Sequence, residues 1–283
     1  MAAAALALAA ALSYGLSDFI GGILSKTRSV WMVATASQLT AAVATAVIAL
    51  LARGDPEPAD FAWGAAAGIG GAIGISALYR GLSRGRMGVV APISGTGAAL
   101  VPIVVGLATG DEPSTLAWVG IAIAFPAIYF IPQADQEHEP AHDGEAAPSS
   151  GAGYGAVAGL GFGALFALIG QMGNDAGFLP LALTQLVVAV TVASVAITLR
   201  QQWIPRGPGL LPVFAFGLLG TAALVCFLLA TRQALLTIVS VIAALYPAST
   251  VAMAAIVLRE RIGPMQSVGL ALAPTAVVLV TVG

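Results

Sequence analysis

DQEHEPAHDGEAAPSS, Asp135 to Ser150, is a long polar stretch in a chain of 283 residues that is otherwise built from apolar runs. It contains Asp, Gln, Glu, His, Pro, Ala, Gly and Ser with no apolar periodicity, so it offers no face to pack a helix. Within it, His138-Glu139-Pro140-Ala141-His142 spells H-E-x-x-H, the pattern of zinc proteases. That chemistry needs a helix, which places two histidines on one face around a zinc and lets the glutamate activate the bound water. Pro140 interrupts the turn, because it lacks an N–H donor and pushes its predecessor out of helical geometry. These are the chain's two histidines, so a third ligand would have to be a carboxylate. The stretch is read as an acidic flexible linker over 133–152 that matches the motif by coincidence. No metal site, no cofactor and no enzyme activity are expected.

Over the whole chain, 59% of the residues are hydrophobic and 8% charged, and the mean hydropathy is +0.96. A soluble domain carries about 25% charged residues. So little charge cannot solvate a globule of this length, and lipid must cover most of the surface. The net charge of −2 is spread thinly, which excludes a nucleic-acid surface. The single Cys226 excludes an internal disulfide. Neither a Walker nor a Rossmann fingerprint occurs: the glycine-rich runs lie inside apolar segments, with no following Lys-Ser/Thr and no flanking strands. Met1 is followed by alanine and leucine with no basic n-region, so no cleavable signal peptide is expected.

A spanning helix needs about 20 mostly apolar residues. Ten runs meet this need, at about 3–24, 31–52, 61–82, 88–109 and 115–132 before the linker, and 153–172, 178–199, 209–230, 235–257 and 265–282 after it. Backbone groups must be satisfied inside lipid, so the expectation is an all-α integral membrane protein of ten transmembrane helices. The 34 glycines lie largely inside the runs, where they let helix backbones approach closely. Trp31, Trp63, Trp118 and Trp203 fall near the ends and are read as an interfacial belt.

The two flanks of the linker copy each other at a shift of 147 to 149 residues. Ser37-Gln38-Leu39 matches Thr184-Gln185-Leu186, Gly68 and Gly71 match Gly217 and Gly220, and Asp111 with Gly120 matches Glu260 with Gly269. This divides the chain into a first repeat at 1–132, the linker, and a second repeat at 153–283. Each repeat has five spans. Five is odd, so the second repeat enters the membrane inverted, as in secondary transporters whose site lies near the midplane.

SYGLSDFIGG (13–22), ALYRGLSRGRMGVVAPISGTGAALVPIVVGL (77–107) and the acid-to-glycine spacing after spans four and nine resemble the drug/metabolite transporter superfamily, EamA type. In that family the spacing starts with a glutamate. Glu260 keeps it, while Asp111 stands in its place in the first half, with Glu112 beside it. The resemblance implies ten helices around a central cavity and secondary transport of small metabolites such as amino acids or organic cations; the alternatives are an intramembrane enzyme, zinc protease-like through His138-Glu139-Pro140-Ala141-His142, or a channel. A bacterial plasma (inner) membrane location is expected. The protein is expected to act as a monomer or a homodimer.

Loops after the odd-numbered spans carry Lys26, Arg28, Arg80, Arg84, Arg86, Arg200, Arg206, Arg259 and Arg261, whereas the other parity carries Arg53 and Arg232. The positive-inside bias puts the first set in the cytoplasm and both termini outside. Many members of the resembling family instead have both termini inside.

Asp18 is the acid inside a span, and an ionised carboxylate there costs several kcal/mol, of order 3, unless paired or hydrated. Two readings stand: a carboxylate that couples protons or cations to transport, or a structural partner of Arg80 or Lys26 near the interface. Arg80 can bind a substrate carboxylate or snorkel to headgroups. Tyr14, Tyr79 and Tyr246 offer aromatic faces to a cation or a planar ligand. Ser94 and Thr96 offer hydroxyls beside Gly95 and Gly97, and these two glycines with Pro247 are hinge or gate candidates. Gln38 and Gln185 are expected to hydrogen-bond between helices.

Overall fold

The computed structural model describes residues 1–84, 87–133, 151–205 and 210–283. The described residues form helices: α1 (Ala2–Ser25), α2 (Val30–Leu51), α3 (Pro58–Arg84), α4 (Met87–Ala108), α5 (Thr115–Phe130), α6 (Ala152–Ile169), α7 (Leu179–Thr198), α8 (Leu211–Thr231), α9 (Leu236–Ala244), α10 (Pro247–Met253) and α11 (Pro264–Val282). A π-helical turn, Ala254–Leu258, continues α10. Taking Leu236–Leu258 as one unit, nine helices among the described residues are long and apolar enough to cross a membrane. The remaining one, α5, is a shorter apolar helix of 16 residues.

The ninth apolar run is not one straight helix. Pro247 has no N–H to donate, so α9 stops at Ala244. The chain turns through Leu245 and Tyr246, whose N–H groups return to the Ile242 and Ala243 carbonyls, and restarts as α10. Pro92 and Pro102, by contrast, lie inside a continuous α4.

Helix α6 packs between α3 and α4, α1 lies along α8, α2 and α7 face one another, and α5 pairs with α11. Glycines make these approaches possible, and they do so in matched pairs. A Cβ on Gly68 would lie 2.7 Å from the Thr184 carbonyl oxygen, and one on Gly217 would lie 2.5 Å from that of Ser37. Gly120 stands against the Ala276 carbonyl and Gly269 against that of Ala127, while Gly15 meets Tyr246 O and Gly163 meets Gly97 O. Each contact has a counterpart 147 to 149 residues away on both sides. Two copies of one packing scheme therefore interlock, because every helix of one copy finds its glycine-lined neighbour in the other.

The core is mostly alanine, with valine, leucine and isoleucine, and Phe227, Ile128, Ile169 and Leu181 are fully enclosed. Large apolar side chains such as Val43, Val47, Leu160, Val190, Leu218 and Ile256 point outward, as a lipid-facing surface requires. The buried amide of Gln185 donates through Nε2 to Thr45 Oγ1, joining α7 to α2. Trp63 and Trp118 are exposed near the starts of α3 and α5, as an interfacial belt requires.

Candidate substrate site

Tyr14 and Asp18 are four residues apart on α1, so they share a face of the helix. The opposite register of the helix is consumed in packing. Ser17 is buried and its hydroxyl donates to the Phe216 carbonyl (3.3 Å). Gly15 is buried against Tyr246 and Ser249. The Tyr14 ring lies 6.1 Å from that of Tyr246, and it meets Phe166 edge-on at 5.7 Å. Phe166 in turn stacks at 4.8 Å on Phe227. Asp18 interacts electrostatically with Tyr14, Tyr79 and Tyr246, so α1, α3 and the break between α9 and α10 converge on one carboxylate. Among the described residues Asp18 makes no ion pair with Arg80 or Lys26, and the residue is exposed at the surface of the bundle.

Tyr79 belongs to a second feature as well. It meets Trp31 edge-on at 6.4 Å, and both line a cleft of ≈ 480 Å³ with Arg28, Arg80 and Gln201. The cleft opens between the α1–α2 loop and the C-terminal ends of α3 and α7. Its mouth is basic and aromatic, and Tyr79 in its wall lies within electrostatic range of Asp18. Trp31, read from the sequence as part of the belt, is a wall of this cleft.

Two hydroxyls that the sequence reading did not single out tie α10 to α1. Ser249 Oγ donates to the Ala11 carbonyl (3.0 Å), and Thr250 Oγ1 donates to that of Gly15 (3.2 Å). Serine and threonine just after a proline are the signal that could have found them, since hydroxyls re-satisfy backbone groups freed near a break.

The α4 candidates lie elsewhere. Ser94 is buried and its carbonyl stands against Gly159 of α6. Thr96 Oγ1 donates to the Pro92 carbonyl of its own helix (2.8 Å). A Cβ on Gly95 would stand 3.1 Å from Ile128 Cγ2, and one on Gly97 would stand 2.8 Å from the Gly159 Cα. Ser94 and Gly97 line the α4–α6 seam, whereas Gly95 faces α5.

The far end of the bundle is stitched shut. Asp60, at the start of α3, is 5% exposed. Its Oδ1 accepts from Gly173 N (2.7 Å) and its Oδ2 from Glu57 N (2.8 Å). Arg232 Nη2 donates to the carbonyls of Gly177 (2.9 Å) and Gly173 (3.4 Å), and the guanidinium lies 5.8 Å from the Phe178 ring centre. Burial lowers the Arg232 pKa from its ordinary value, while Asp175 and Asp60 pull it back up. Asp55 N donates to the Asp175 carbonyl (2.8 Å), and Gly54 touches Gly177 backbone to backbone. Acids in the first turn of a helix are common and carry no motif, so nothing in the sequence distinguished Asp60 from its neighbours.

Comparison with known proteins fits this geometry. Residues 1–132 and 149–282 match the EamA-like transporter family. The chain belongs to that family. This EamA-like transporter is thus a multi-pass integral membrane protein that carries a small-molecule substrate across a lipid bilayer, and its family is not enzymatic. No curated protein matches it. One solved crystal structure shares the fold at 14% identity with a TM-score of 0.75, covering 99% of this chain and 95% of the other. The H-E-x-x-H stretch at 138–142 lies outside the described residues.

Proposed function

We propose that this EamA-like transporter moves small cationic or zwitterionic metabolites, amino acids and organic cations among them, by alternating access between two inverted five-helix repeats at 1–132 and 153–283. The observation that carries the reading is Asp18, an exposed carboxylate one helical turn from Tyr14, within electrostatic range of Tyr79 and Tyr246, with Tyr79 also lining a basic, aromatic cleft. The carboxylate attracts a cation, the tyrosine rings offer it electron-rich faces, and Arg80 at the mouth offers a guanidinium to a carboxylate. The same carboxylate can take up a proton, which makes proton coupling the natural energy source. Ten spans follow if α5, despite its 16 residues, crosses the membrane beside α11.

An open cleft at one end and a stitched closure at the other are what one state of an alternating-access cycle requires. Paired glycine contacts between the halves support exchange of the two states, since each half can take the other's packing. Gly95, Gly97 and Pro247 are the proposed hinge positions. The positive-inside bias of the loop arginines and lysines supports a cytoplasmic cleft end, in a bacterial inner membrane.

Thermal stabilisation of the purified protein tests the reading, with amino acids, sugars, nucleosides and organic cations as ligands. A ligand that binds the folded state alone raises its apparent stability. Cationic or zwitterionic ligands should stabilise the wild type and not Asp18→Asn. Equal stabilisation of both proteins by a neutral ligand would remove Asp18 from the site.

A further inference from the structure

Helix α4 ends in a device that recurs at the end of the ninth span, there without a partner among the described residues. Gly110 has φ of 105°, a left-handed residue that turns the chain back after the helix. The Asp111 N–H then returns to the Gly106 carbonyl (2.8 Å). This aims the carboxylate at the start of α9, where Asp111 Oδ2 accepts from Thr237 N (2.8 Å) and Thr237 Oγ1 (2.7 Å). A carboxylate is favoured there, because free N–H groups and the helix dipole both attract negative charge. Gly106 makes room for the contact, since a Cβ on it would collide with Asp111 Oδ2.

In the second half, 149 residues on, Arg259 takes φ of 57° and ends the π turn in the same left-handed way. The Glu260 N–H returns to the Ala254 carbonyl (3.4 Å), and the small Ala255 stands where Gly106 stands in the first half. Helix α4 begins at Met87, likewise 149 residues before Leu236, where α9 begins. Glu260, however, is exposed.

We propose that Asp111 and Glu260 are alternative latches, one for each state of the transporter. In the state seen here Asp111 holds the N-terminus of α9 and helps seal the end opposite the cleft. When that end opens, Thr237 is released, and Glu260 takes the first-turn N–H groups of α4 and seals the cleft end. The inference rests on the alternating-access reading above, and adds which groups hold each state.

Cysteine accessibility in membrane vesicles tests it on the full chain with Cys226→Ala. One reporter is Ser240→Cys, on α9 three residues beyond Thr237 and 2% exposed. The other is Val30→Cys, in the cleft wall. Labelling with a membrane-impermeant maleimide is followed from each side. Asp111→Asn should raise Ser240→Cys labelling at least about fivefold and lower that of Val30→Cys, the scale of an ordinary coupling energy. Glu260→Gln should shift both reporters the other way. If Arg232→Gln exposes the Ser240 reporter but Asp111→Asn does not, that end opens without the latch and the inference is overturned. If Glu260→Gln moves the reporters in the same direction as Asp111→Asn, the mirrored half is overturned. If no variant among Asp111→Asn, Arg232→Gln and Asp60→Asn exposes the reporter, alternating access at this end fails along with the latch.

Discussion

Gly97 and Gly159 meet backbone to backbone, and a Cβ on Gly159 would lie 2.9 Å from the Gly97 Cα. This contact lets α4 lie flush on α6. Gly159→Ala should cost about 1–3 kcal/mol, the usual scale of overpacking. Gly220→Ala, whose Cβ would meet nothing within 4 Å, is the control and should leave the melting temperature unchanged. Thermal unfolding of the two detergent-solubilised variants checks the contrast.

Asp18→Asn keeps the side chain's shape and removes its charge. Uptake driven by a pH gradient in proteoliposomes should disappear, while the melting temperature without ligand stays near that of the wild type, because no ion pair is lost. Normal gradient-driven uptake in this variant would sink the coupling role.

Asp60→Ala removes the acceptor from two N–H groups, those of Gly173 and Glu57, at a buried position. Leaving buried donors unpaired costs about 1–3 kcal/mol. The expected result is a lower melting temperature together with faster hydrogen exchange in the loop that contains Gly173. Exchange confined to wild-type rates would mean that Arg232 alone secures the loop.

Gln185→Leu breaks the α7–α2 hydrogen bond to Thr45 while keeping volume. Interhelical hydrogen bonds in membranes are worth about 0.6–2 kcal/mol, so a modest destabilisation is expected by thermal unfolding.

His138→Ala with His142→Ala should leave transport rates and zinc content unchanged. Bound zinc lost in the double variant would reverse the reading of the 135–150 stretch as a linker.

The helices were legible because a membrane leaves little freedom. Backbone groups without water must close their hydrogen bonds locally, so an apolar run of sufficient length is already a helix, and α1 to α4 and α6 to α8 fall where the runs fall. Pro247 was visible as a break, yet the separate α10 and the π turn after it were not, since a proline fixes where a helix is disturbed and neighbours decide how it resumes. Within the site, Asp18 and Tyr14 could be paired from their spacing on one helix. The convergence of Tyr79 and Tyr246 on the same carboxylate could not, because those residues come from helices about 60 and 230 positions away and no local period relates them.

By itself, then, the sequence determined the solvent, the helical class, the duplicated plan and the carboxylate in the first span, all of which follow from composition, run length and register. Tertiary structure alone decided which end is open and which is closed. Asp60 reaches Gly173, Arg232 reaches Gly177 and Asp111 reaches Thr237 across 113, 55 and 126 residues of chain, and such contacts depend on how the helices are tilted against one another. Those partners lie on separate helices with no local period between them, so run length and register cannot specify the contacts.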